Sequence, residues 1–370
     1  MSALAIRGRG LACGLGVGAD AAAAAVGTLP VPLFVTLGEG LQRPFLPIRG
    51  IPDDATITGA AAWHARTRAL IRDVVAQALG EASGAALELV PRDGALLIAS
   101  SSLHVGAVEA GQLFRPHGSL FAQQVKEWLD WQGPVYCFST ACTSSIVALS
   151  AARALLASGA APSALVLGVE LANRLSLSGF QGMQLLSPDA ARPFGLGRNG
   201  LVLGEAVAAL HCVVASGNEA GWRITGSAHI VDGSDPAGAS RGALLRACRE
   251  ALEQAGRTPA EVELVKVQAA GSPGNDALEA AVLHELFDHM PALVSLKPSL
   301  GHCLGASGAV ELALLCAALD AGALPPVTHE PDPALDLRLA TRLDAAPRCV
   351  LAIIVGFGGG HAAAVLECRQ

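Results

Sequence analysis

The sequence predicts an α/β protein built from two βα-rich halves, with mostly buried mixed sheets sandwiching helices. Three observations predict it. Short apolar runs of strand length alternate with stretches of helical periodicity along the whole chain. The same order of elements occurs twice. The composition of the 370 residues, 52% hydrophobic but only 4% aromatic with 42 glycines, describes a large interior of closely approaching backbones filled by Leu, Val and Ala.

In chain order, Ala3–Ile6 reads as a first strand, followed by a glycine-rich turn (Gly8, Gly10, Gly14, Gly16) and a short Ala-rich helix from Asp20. The glycine spacing fits neither a dinucleotide fingerprint nor a P-loop, so it is read as turn chemistry. Residues 29–52 read as a proline-rich loop or cap. A helix is expected over 67–82 and a buried strand over 95–100. Lys126–Trp131 closes another helix. Val135–Ala148 passes from strand to helix through Cys142, with strands at 164–168 and 206–213 beyond it and a loop or short helix over 180–187. Helix 241–255, strand 264–267, strand 293–297, the helix after Gly308 and strands 350–355 and 363–367 repeat that order. The two halves are expected to span 1–215 and 216–370.

Cys142 is the residue around which the chemistry gathers. At the head of a helix a thiolate faces unpaired N–H groups, which favours ionisation and nucleophilicity. The competing reading is an ordinary buried core cysteine. With two symmetric halves, corresponding loops converge on one cleft, and Cys142 would face Gln268 and His302, the pattern of a nucleophile served from separate loops.

Several function classes are excluded on composition. Nine cysteines without a C-x-x-C pair fit neither a disulfide framework nor a zinc site, and favour a reducing compartment, the cytoplasm by default. A net charge of −7 without a basic run offers nothing to a nucleic acid. The start of the chain lacks a signal-peptide pattern, and the apolar run 306–324 carries Glu311 and Asp320, so it reads as buried helix and not as a membrane span.

Five stretches, in order, carry a resemblance to a known family: Ser139-Thr-Ala-Cys-Thr-Ser-Ser145; Ala191-Arg-Pro-Phe with Gly200-Leu-Val-Leu-Gly-Glu205; Ser272-Pro-Gly-Asn-Asp276; Lys297 with Gly301-His-Cys-Leu-Gly-Ala-Ser-Gly-Ala-Val-Glu311; and Gly356-Phe-Gly-Gly359. Together they resemble the β-ketoacyl-acyl carrier protein synthases of the thiolase-like superfamily, with some features of a chain-length-factor-like partner subunit. The resemblance is poorest over 29–61. It implies a layered αβαβα thiolase-like architecture, a dimer formed around the cysteine strand, homo- or heterodimeric with a paralogous ketosynthase, and acyl carrier protein as partner. No metal or redox cofactor is implied; the acyl substrates travel on the phosphopantetheine of the carrier.

The resemblance makes Cys142 the acyl-accepting nucleophile, His302 a hydrogen-bond donor to a substrate carbonyl, and Phe357 a gate to the acyl pocket. Lys297 and Glu205 would order the site through an ion pair or water network. Arg66, Arg68 and Arg72 are candidate docking positions for the acidic carrier protein. Three departures stand out: Gln268 where the family has a first histidine, Gly195 where it has an acidic residue, and Gly360-His361 where it has Thr-Asn. Gln268 offers an amide N–H but carries no charge and moves no proton. Loss of such a group removes about 10²–10⁴-fold of rate, which puts ordinary decarboxylative condensation in question. His361 is considered as a substitute for the lost function, or as a changed loop residue. Two functions therefore compete: an acyl-forming or acyl-transferring β-ketoacyl synthase of fatty acid or polyketide biosynthesis, and a non-elongating chain-length-factor-like subunit.

Overall fold

The computed structural model describes residues 2–38, 40–50, 58–80, 92–112, 117–217, 219–234 and 238–369. The first half comprises β1 (Leu4–Cys13), β2 (Gly16–Val17), α1 (Ala19–Ala25), β3 (Leu33–Leu37), β4 (Leu41–Leu46), α2 (Gly59–Ala78), β5 (Ala95–Ala99), α3 (Val105–Glu109), α4 (Gly118–Leu129), β6 (Val135–Phe138), α5 (Ser144–Ala157), β7 (Ala164–Glu170), α6 (Arg174–Gly182), β8 (Leu203–Gly204) and β9 (Ala206–Val214). The second comprises β10 (Gly221–Val231), α7 (Arg241–Ala255), β11 (Leu264–Lys266), α8 (Pro273–Leu286), β12 (Ala292–Val294), α9 (Lys297–Leu300), α10 (Ser307–Asp320), β13 (Cys349–Gly356) and β14 (Gly360–Arg369).

The repeat read from the sequence is explicit in the sheet. From its outer edge the first half runs β6-β5-β7-β9-β1, and the second β12-β11-β13-β14-β10. In each, the first three strands are parallel and the rest antiparallel. The halves meet where β1 pairs with β10, Leu4 opposite Ile224.

Packing repeats as well. A register shift interrupts β1 between Ile6 and Gly8, and another interrupts β10 between Ile224 and Gly226. A methyl group at Gly8 would sit 1.9 Å from the Ala78 carbonyl oxygen of α2, and one at Gly226 would sit 1.9 Å from the Ala251 oxygen of α7. These glycines let a helix backbone rest directly on a strand, twice. Gly8 and Gly10 therefore lie inside a strand that continues to Cys13, not in the turn expected there.

The layers follow from which faces are apolar. Leu70, Ile71 and Val74 of α2 and Phe121 and Val125 of α4 cover one side of the first sheet half. Leu244, Ala247 and Cys248 of α7 and Val282 and Leu283 of α8 cover the far side of the second. Between them, α5 and α10 pack with the inner faces of both. The result is the expected αβαβα stack. Helix α10 is buried from Ser307 to Leu319, which is why its sequence is apolar all round. Among the described residues no helix is long and apolar enough to cross a membrane.

The loop or cap expected over 29–52 is corrected, and two elements not expected from the sequence join it. Residues 33–46 form a β-hairpin, its turn closed by Gly38 and Gly40 at positive φ, and β4 adds to β8. The alternation in 221–231 is a full strand at the pseudo-symmetric joint. Pro273 opens a 14-residue helix, where proline costs nothing because its missing N–H has no partner in the first turn. The expected end of helix 67–82 falls at Ala78, and 81–82 lie outside the described residues.

Candidate active site

The nucleophile stands on a tight strand-to-helix turn. β6 ends at Phe138, and Ala141 turns the chain with φ 50°, a left-handed conformation uncommon for a residue with a Cβ. Local bonds hold it there: the Thr140 N–H donates to Ser144 Oγ at 2.9 Å, and Thr143 Oγ1 donates to the Thr140 carbonyl at 2.7 Å. The turn lifts Cys142 just ahead of α5, where its own N–H and that of Phe357 face the sulfur.

His302 arrives from the other half. Gly301 adopts φ 69°, and a methyl there would meet Gly204 N at 2.7 Å, so only glycine lets α9 turn against β8. The His302 N–H then donates to Val202 O at 2.7 Å, and the Gly204 N–H to His302 O at 3.2 Å, which fixes the backbone. His302 Nε2 lies 3.0 Å from Cys142 Sγ, across 160 residues of sequence. Its Nδ1 lies 3.1 Å from Lys297 Nζ and 3.1 Å from Ser307 Oγ. Lys297 is ion-paired with Glu311, and an ammonium can only donate. Nδ1 is therefore an acceptor, and the ring proton sits on Nε2, pointing at the sulfur. Burial, then the charges of Lys297 and Lys266, holds the imidazole well below its ordinary range, so it is neutral.

The activation of the thiol expected at the helix head is opposed by burial. Burial pushes the Cys142 thiol up to about 11, with Lys297 and the Phe357 N–H opposing it. Cys142 is 3% exposed and lines a cavity shared with His302, Gln268, Phe180 and Phe357.

Gln268 lines the same cavity, with Phe180, Phe357, Ser272 and Asn275. Its backbone N–H and that of Ala269 donate to the two oxygens of Glu279, each at 2.7 Å, while its side-chain Oε1 is buried without a partner. Phe357 is half-buried and meets Phe180 edge-to-face, ring centres 5.3 Å apart. The two rings form part of the cavity wall.

Two expected site residues fall elsewhere. Glu205 is not the partner of Lys297: its carboxylate accepts the Ile48 and Ala172 N–H groups at 3.0 Å each and Arg66 Nη2 at 2.5 Å, tying three segments together. Arg66 is thereby committed to that pair, while Arg68 and Arg72 are exposed. His361 is fully buried on β14 and accepts the Ser240 N–H at 2.8 Å at the head of α7, outside the cavity, so it does not replace Gln268.

Three acidic groups and one lysine stand behind the site, beside the Glu279 already named. Glu170 accepts the Ser101, Ser102 and Gly305 N–H groups at 2.9–3.0 Å, and Asp276 those of Phe194, Ala270 and Gly271 at 3.0–3.2 Å. Glu311 sits between Lys297 and Lys266, the latter also donating to Ile353 O at 2.7 Å. The available signal was a charge inside an otherwise apolar strand or helix, as in Leu264-Val-Lys-Val267. Among the described residues no group of side chains is arranged to hold a metal ion.

Comparison with known proteins identifies the family. Residues 61–215 match the beta-ketoacyl synthase N-terminal domain and residues 221–330 the C-terminal domain. A Streptomyces halstedii protein assigned as a polyketide beta-ketoacyl synthase is 32% identical over 272 residues, 67% of this chain and 64% of its own length. Nodulation protein E of Rhizobium sp. (strain N33) is 30% identical over 281 residues, 72% of this chain and 69% of its own length. Among solved structures, the ishigamide ketosynthase/chain length factor superposes with TM-score 0.84 at 22% identity, covering all of both chains. A beta-ketoacyl synthase from Burkholderia phymatum STM815 gives the same figures. A type II polyketide ketosynthase solved with its acyl-carrier protein gives 0.83 at 18%, covering 99% of each chain. At such identities these structures speak for the fold, thiolase-like, and the sequence matches place the chain in the beta-ketoacyl synthase family.

Proposed function

We propose that this protein is an acyltransferase of the β-ketoacyl synthase type, acting on acyl thioesters of fatty acid or polyketide biosynthesis. The observation that carries the reading is the contact of Cys142 Sγ with His302 Nε2, backed by Lys297 and Glu311. The acyl group arrives on the phosphopantetheine arm of an acyl carrier protein. Cys142 sulfur bonds to the thioester carbonyl carbon, the carbon–sulfur bond to pantetheine breaks, and the departing thiolate takes the proton released by Cys142. The N–H groups of Cys142 and Phe357 face the developing oxyanion, and the Nε2–H of His302 donates to a carbonyl oxygen of the second substrate. Phe357 and Phe180 stand on the wall of the cavity through which the arm would reach Cys142.

Gln268 sets the limit of this chemistry. It can donate one N–H to a malonyl carbonyl but adds no charge, so acyl transfer to Cys142 is retained while decarboxylative condensation is slow. The test is release of free carrier thiol from acyl-carrier protein. One equivalent per Cys142, and none from Cys142→Ala, supports the reading; no release with any acyl donor refutes it.

The same residue favours a second reading, a non-elongating subunit that pairs with a complete ketosynthase. β6 lies at the sheet edge with Tyr136 exposed, which suits pairing with another chain of the same fold. Preferential heterodimer formation with a paralogous ketosynthase, and condensation only in the mixture, would decide for it.

A further inference from the structure

Beneath the reacting atoms lies a buried charge relay that the reading above does not use in full. Ile353 O, Lys266, Glu311, Lys297, His302 and Cys142 form one continuous chain of contacts, drawn from β13, β11, α10, α9 and the two site loops. Each side chain in it is at most 3% exposed. Two lysine side chains share a single carboxylate, and burial lowers the Lys266 pKa while Glu311 opposes the shift. A further acid that interacts with Lys266, Glu279, is pushed up to about 8 by burial, with Lys266 opposing the shift.

A buried ion pair needs good geometry merely to break even, and a second cation beside it adds a dehydration cost without a dedicated partner. Such an arrangement is stabilised when a negative charge forms nearby during turnover, or when it holds a neighbour in one protonation state. Lys266 occupies Glu311 Oε2 and so leaves only Oε1 to Lys297. Were Lys266 absent, both oxygens would be open to Lys297, drawing its ammonium off His302 Nδ1.

We propose that Lys266 is a positioning residue for the reaction at Cys142: by occupying one oxygen of Glu311 it keeps Lys297 on His302 Nδ1, and thereby fixes His302 as a neutral donor through Nε2. It stands two residues before Gln268, on the same face of the strand line, and works through Glu311 and Lys297 without touching the substrate. The groups facing His302 are Cys142 from the turn before α5, Lys297 from α9 and Ser307 from α10, with the charges of Lys266 on β11 and Glu311 on α10 behind them.

The proposal rests on Cys142 being the nucleophile, and its test is separable from that claim. Protein labelled with ¹⁵N-histidine, with His302 assigned through His302→Gln, reports tautomer and protonation directly. Wild type is expected to show an Nε2–H imidazole that stays uncharged well below the ordinary histidine range. In Lys266→Met the protonation midpoint rises by about one unit, a tenfold change, and acyl transfer at pH 7 falls about tenfold. Lys266→Arg restores both, and Glu311→Gln moves the midpoint the opposite way. A folded Lys266→Met with an unmoved midpoint overturns the proposal. So does wild-type His302 carrying its proton on Nδ1 or titrating near its ordinary value, a result that needs no variant to fold. Failure of acyl transfer in wild type with the expected spectrum refutes the nucleophile and leaves the positioning intact.

Discussion

At the scale of single residues, the contact between Cys142 and His302 joins two side chains whose charges are both suppressed. Burial raises the thiol to about 11 and holds the imidazole low, so the resting pair is thiol and neutral ring. For an acid, a raised pKa means the ionised form gains only as pH climbs. Labelling of Cys142 by iodoacetamide should therefore accelerate about tenfold per pH unit from pH 7 to near 10 without levelling. A plateau between pH 6 and 8 would reveal a thiolate–imidazolium pair instead. Gln268 yields a second prediction at this scale. Gln268→His restores a group able to carry charge and move a proton, and should raise malonyl-dependent condensation by about 10² or more while leaving acylation of Cys142 unchanged. A malonyl-carrier assay with product mass detection checks it, and an unaltered condensation rate counts against the role given to position 268.

At the scale of elements, the site depends on how closely backbones approach. Gly301 turns α9 onto β8 and thereby aims His302. Gly8 and Gly226 seat α2 and α7 on their strands by the same means. Gly8→Ala and Gly226→Ala should each lower stability by about 1–3 kcal/mol, because the added methyl collides with a helix carbonyl that cannot swing aside. Urea unfolding with an unchanged slope is the measurement. Near-neutral effects would mean that the helices have room to move. These glycines also show where the sequence is hard to read. Gly8 and Gly10 look like turn residues because a strand rarely contains two, and only the helix lying across them explains their presence. The hairpin over 33–46 was hidden for a related reason, since Pro44 and a glycine-flanked turn resemble a loop until β8 is found beside β4.

At the scale of the whole molecule, the doubled order of elements was legible because each half repeats the same alternation of buried strand and amphipathic helix. Cys142, His302, Lys297 and Gln268 were legible through the motif stretches around them. Glu205 and His361 were not, since a residue beside a motif need not face its cavity: Glu205 ties Ile48, Ala172 and Arg66 together, and His361 caps the approach to α7. Lys266 and Glu279 escaped notice because their meaning lies in contacts between distant segments. The exposed edge strand β6 supports one more prediction. Tyr136→Glu places a charge at the proposed pairing edge and should shift the protein toward monomer in light scattering, with little change in its melting temperature. An unchanged assembly state would move the interface elsewhere.

The measurement that bears most directly on the central claim is intact-mass analysis with peptide mapping after incubation with acyl-carrier protein. The account predicts a single acyl group on Cys142, lost in Cys142→Ala. An adduct at another cysteine, or one that persists in Cys142→Ala, would contradict it.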